Sequence, residues 1–77
     1  MPKLPLFSGA QLIRALTKLG FVKVRQKGSH VILKKKTISG EIGCVVPLHK
    51  ELARGTLHGI LKQAQIEISE LLRQVRR

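Results

Sequence analysis

A chain of 77 residues buries only about 60% of the surface it exposes when unfolded, so it holds one thin core and excludes a two-lobed cofactor enzyme. Lys and Arg total 15 against four acids, all Glu, giving a net charge of +11 and too few carboxylates for most two-metal nuclease sites. Hydrophobic residues at 43% exclude a disordered basic tail, and two phenylalanines without Tyr or Trp exclude an aromatic platform for stacking single-stranded bases.

In chain order, residues 1–7 carry two prolines and read as an extended lead-in. Ser8 followed by Gln11 forms a capping-box pattern. Leu12, Ile13, Leu16 and Leu19 then recur at helical spacing, and Gly20 is a natural stop, so a first helix is predicted over 9–19. Residues 21–25 alternate as a strand, with Val22 and Val24 on one face and Lys23 and Arg25 on the other. Lys27-Gly28-Ser29 is the turn, and a second strand covers 30–34. Residues 35–40, rich in Lys, Thr, Ser and Gly, read as a loop, and a third strand covers 41–46, closed by Pro47. Short connections favour an antiparallel meander.

Thr56 opens a second helix with Leu57, Ile60, Leu61 and Ala64 on one face. Ser69 is the predicted cap of a short third helix carrying Leu71, Leu72 and Val75, and residues 73–77 end as a basic tail. The reading is one α+β domain of order α-β-β-β-α plus a small C-terminal helix. The first two helices cover one face of a three-stranded antiparallel sheet, and the other face is open and basic.

The charge amounts to about one uncompensated cation per seven residues and is spread along the chain, which points to nucleic acid ahead of an acidic protein partner. Cys44 is a lone cysteine inside an apolar run, read as a small buried hydrophobe in a reducing compartment. The sequence contains no metal-ligand spacing, no run of ~20 apolar residues and no signal-like segment at Met1-Pro2-Lys3-Leu4-Pro5; the expectation is a soluble cytoplasmic protein without metal or cofactor.

The stretch Arg25-Gln26-Lys27-Gly28-Ser29-His30 holds two cations, a glycine turn, a hydroxyl and an imidazole within six residues. Glycine lets backbone approach a phosphate, the cations hold its charge, Ser29 donates a hydrogen bond, and an imidazole exchanges protons near neutral pH. Metal-independent RNA cleavage needs these functions: a base for the 2′-OH, cations for the phosphorane and an acid for the leaving 5′-oxygen. A histidine at a strand start is also a common structural or exposed residue. His49 is read as a second acid–base group, an RNA contact or a plain surface histidine. His58 falls off the apolar stripe of its helix and faces solvent. Glu51 is either an orienting carboxylate or a surface one. Lys34-Lys35-Lys36 is a generic phosphate contact or a solvated loop.

At these residues the sequence resembles the HicA family of small toxins, RNA-cleaving partners of HicB antitoxins. The resemblance runs from about Ser8 to Leu72, through Leu19-Gly20-Phe21, Arg25 to His30, Val46-Pro47-Leu48-His49, Glu51-Leu52, Gly55-Thr56-Leu57 and Ile60 to Ala64. It implies a fold similar to a double-stranded-RNA-binding domain and an mRNA interferase that partners a HicB-like antitoxin. It also implies that His30 is the catalytic histidine, with Gly28 and Ser29 completing the motif, and His49 matches a recurrent family histidine whose role stays open. From the chemistry of the residues themselves, Arg25, Lys27, Gly28, Ser29, Lys34 and His49 are the expected RNA contacts. Two positions depart from the family pattern. Val31 stands where many members have a second histidine, a possible auxiliary proton donor, and Gln65 stands where a glycine commonly follows the second helix. The competing reading is a binding module that holds RNA without cutting it.

Overall fold

A computed structural model of the chain describes residues 6–75; the lead-in over residues 1–5 and the last two residues of the basic tail lie outside them. The elements run α1 (Gly9–Lys18), β1 (Val22–Lys27), β2 (His30–Thr37), β3 (Gly40–Pro47), α2 (Arg54–Ala64) and α3 (Ile68–Val75). The sheet is antiparallel with order β1-β2-β3. This is the α+β arrangement that the sequence implies.

The start of α1 is fixed by a complete capping box: the Gln11 N–H donates to Ser8 Oγ at 3.0 Å, and the Ser8 N–H donates to Gln11 Oε1 at 2.9 Å. Such a cap is typically worth about 1 kcal/mol. Leu12, Ala15 and Leu16 are the buried stripe of α1, and Leu57, Ile60, Leu61 and Ala64 that of α2. Both helices pack on β3, and α3 adds Leu71 by packing against α1. From the sheet, Val31 and Leu33 of β2 and Cys44 and Val46 of β3 are buried facing the helices. Side chains alternate along a strand, so His30, Ile32, Lys34 and Lys36 point to the opposite, open face.

Three local expectations change. Residues 35–40 are a hairpin, with β2 extending to Thr37 and pairing with Gly40 across a two-residue turn. The lysine run stays in the strand because Lys34, Lys35 and Lys36 pair with Gly43, Ile42 and Glu41 of β3, and Lys35, on the helix side, lies over the Phe21 ring with Nζ 5.8 Å from its centroid. Thr37 Oγ1 closes the turn by donating to the Gly40 carbonyl at 3.1 Å. Next, α2 begins at Arg54 with Ala53 as a cap that has no side-chain bond, two residues before Thr56. Finally, Ser69 lies inside α3; Glu70 Oε1 accepts from the Glu67 N–H at 2.9 Å and holds that helix start.

Gln65 has φ +56° and ψ +42°. Its N–H satisfies the carbonyls of Leu61 and Lys62 at the end of α2. Glycine suits a left-handed residue at a helix end, so Gln65 carries a conformational cost there.

Candidate functional site

The strands pair in a register that decides the site. Val22 pairs with Lys34 and Lys23 with Leu33, then Arg25 pairs with Ile32 and Lys27 with His30. Val24 is the extra residue of a β-bulge. Directly paired residues share a face. The bulge therefore carries Arg25 across to the open face, beside Lys27 and His30. Strict alternation puts Arg25 with Lys23; the structure corrects that. It also leaves Val22 and Val24 exposed on the open face rather than in the core.

Gly28 has φ +59° and Ser29 does not share a positive φ, the pattern of a II′ hairpin turn with glycine first. A Cβ on Gly28 would meet nothing within 4 Å, so the backbone angle is what calls for glycine. Gln26 Nε2 braces the turn by donating to the Gly28 carbonyl at 3.1 Å. This brace was not singled out in the sequence; a polar side chain two residues before a turn glycine is a weak signal for it.

The turn is tied to the rest of the fold. The Ser29 carbonyl accepts from the Leu48 N–H at 2.7 Å, the His49 carbonyl accepts from the Gly9 N–H at 2.9 Å, and the Phe7 carbonyl accepts from the Leu52 N–H at 2.7 Å. The β1–β2 turn, the β3–α2 loop and the start of α1 thus meet at one end of the sheet. Gly9 is buried there because a Cβ would collide with the Pro47 carbonyl oxygen.

This end gathers Arg25, Lys27, Gly28, Ser29, His30 and His49, all exposed. Arg25 stands diagonally from His30, a backbone separation of roughly 7–8 Å that its side chain can span. Lys34 is not part of the cluster. It lies four residues along β2, about 13 Å away, and its Nζ is 3.6 Å from Glu41 Oε1 in a half-exposed ion pair. With Val22, Val24 and Lys36 it lines a shallow groove at the far end of the open face.

Among the described residues, neither the His30 nor the His49 imidazole makes a hydrogen bond, and Glu51 is exposed and orients no histidine. Val31 is buried on the helix side, away from His30, so a histidine at that position of this fold would not share the face. His58 is exposed on α2, as its helical phase requires. Cys44 is buried, which pushes its thiol up to about 11 and leaves it a neutral core group. No three His, Cys or Glu side chains among the described residues come together as a metal site, and no helix among them is long and apolar enough to cross a membrane.

Residues 9–66, spanning α1 to just beyond α2, match the family described as the HicA toxin of bacterial toxin–antitoxin. The chain belongs to the HicA toxin family, and its partner in such a system is an antitoxin. No curated protein matches the chain.

Proposed function

We propose that this toxin is a metal-independent endoribonuclease acting on mRNA in the cytoplasm, with His30 as its acid–base group. The observation that carries this reading is the common exposed face of Arg25, Lys27 and His30 beside the Gly28-Ser29 turn. Arg25 and Lys27 hold the phosphate, and Ser29 contributes a donor. The ribose 2′-oxygen attacks the adjacent phosphorus while its proton passes to a base. The bond from phosphorus to the 5′-oxygen breaks, and that oxygen takes a proton from an acid. His30 serves one of these two transfers. The products are a 2′,3′-cyclic phosphate and a 5′-hydroxyl. His49, on the loop bonded to the Ser29 carbonyl through Leu48, is an RNA contact at the same end.

A HicB-like antitoxin would silence the toxin by covering His30 and neutralising the cations around it with acidic residues. The second reading, a domain that binds RNA without cutting it, is favoured by one observation. No hydrogen bond among the described residues fixes the tautomer of His30. Induced expression of the wild type and His30→Ala in parallel separates the two. The enzyme reading expects growth arrest and mRNA loss in the wild type only; equal, harmless expression of both contradicts it.

A further inference from the structure

The solvent face of α2 has a composition that folding does not explain. Arg54, His58 and Lys62 recur at i, i+4 and i+8 and form one exposed row, rising about 12 Å along the axis. The helix contains no acid, and among the described residues Arg54 and Lys62 have no ion-pair partner. Gly55 and Gly59 stand about 100° further round, roughly opposite the buried Leu57, Ile60, Leu61 and Ala64. Both have open space where a Cβ would be, and neither has positive φ, so neither packing nor backbone angle calls for glycine. Each weakens the helix relative to alanine. On the other flank, Gln63 Oε1 accepts from the Val45 N–H at 3.3 Å and pins α2 to the β3 edge.

From this we infer that the Arg54, His58 and Lys62 row is a second RNA-backbone contact, one that holds the strand leading away from His30. The deduction rests on the proposed RNA cleavage and deepens it. Along the chain the row follows the cationic end of the sheet: the Ser29 carbonyl is bonded to Leu48, exposed His49 and Lys50 come next, and α2 starts at Arg54. Arg54 and Lys62 stand two helical turns apart with the His58 imidazole between them as a hydrogen-bonding group, so the row can meet separate phosphates of one phosphodiester chain. The glycines let that chain lie close to the helix. The helix carries cations and no acid, and the glycines offer no apolar side chain to bury, so charge complementarity decides the occupant. A polyanion is therefore the better occupant.

The test uses full-length His30→Ala, which removes cleavage from the measurement, and a fluorescein-labelled single-stranded RNA. Anisotropy is recorded across a salt series with and without Arg54→Gln and Lys62→Gln. Each lost contact to a single strand should make the plot of log affinity against log salt shallower by about 0.7, so the double variant should lose about 1.4. Its melting temperature should be unchanged, because both side chains are exposed and make no ion pair among the described residues. Gly59→Ala should melt higher yet bind the RNA more weakly. An unchanged slope in the double variant overturns the inference while RNA binding itself stands. So does an unchanged slope accompanied by lost antitoxin binding, which would make the row a protein surface. If the parent His30→Ala chain does not bind the RNA at all, the underlying RNA reading fails and takes this contact with it.

Discussion

The two hairpins of the sheet are built from similar material and end differently. Both have cation-bearing strands joined by a two-residue turn. The β1–β2 turn is bonded to Leu48 and so, through the β3–α2 loop, to the start of α1. The β2–β3 turn is closed only by its own Thr37, with Ile38 fully exposed at its tip. Cations near the first turn lie beside a histidine and a bulge that turns Arg25 toward it. Those near the second are dispersed, with Lys34 on Glu41, Lys35 over Phe21 and Lys36 in the open groove. Tertiary bonds thus hold the first turn in place, while the second is held by its own residues.

The largest way to break this contrast is His30→Ala. Losing an acid–base group should lower RNA cleavage by roughly 10²–10⁴-fold, with the thermal melt unchanged because the side chain is exposed. Next comes the strap. Gly9→Ala drives a methyl into the Pro47 carbonyl and threatens the bond from the Gly9 N–H to the His49 carbonyl. Overpacking of this kind costs about 1–3 kcal/mol, and each kcal/mol lowers the melting temperature by roughly 4–8 °C.

Comparing Lys27→Gln with Lys34→Gln sharpens the comparison directly. A charge-assisted phosphate contact is worth about 1.5–3 kcal/mol, so Lys27→Gln should cut cleavage by about tenfold or more. Lys34 belongs to an exposed pair worth about 0–1 kcal/mol, and its replacement should change the rate by a few-fold at most. Steady-state cleavage of one labelled RNA by both variants decides this.

Outside both hairpins, Gln65→Gly relieves a left-handed residue and should stabilise the fold by about 1–2 kcal/mol, read as a rise in melting temperature. A pH-dependent effect sits in β3, which only the second hairpin shares. Cys44 titrates at about 11 when folded against an ordinary 9.0. Between those values the unfolded chain gives up its thiol proton and the folded chain keeps it. Stability contributed below pH 9 is therefore lost as pH rises toward 11. Urea melts of the wild type and Cys44→Ala over that range should show a steeper decline in the wild type.

Much of this was legible in the sequence. Ser8, Gln11 and the leucine spacing gave the limits of α1, and the apolar stripe of α2 appeared as read. Gly28 marked the correct turn, and His30 began the correct strand. What escaped depended on tertiary contacts or on one inserted residue. Lys34, Lys35 and Lys36 stay in β2 because they pair with β3, and Lys35 lies over Phe21, neither of which local propensity encodes. A bulge at Val24 leaves alternation intact on paper and reverses the face of Arg25 in space. The cap of α3 fell to Glu70 rather than Ser69 because a carboxylate three residues on can satisfy the first free N–H as well as a hydroxyl. The α2 row was open to inspection as i, i+4, i+8 spacing, yet only exposure and the missing acid partners separate it from a solvated face.

The most direct test is incubation of a labelled RNA with purified wild type and His30→Ala in chelator, followed by analysis of the new ends. The account predicts 2′,3′-cyclic phosphate and 5′-hydroxyl termini from the wild type alone. Termini with a 3′-hydroxyl, a strict requirement for Mg²⁺, or equal cleavage by both proteins would contradict it.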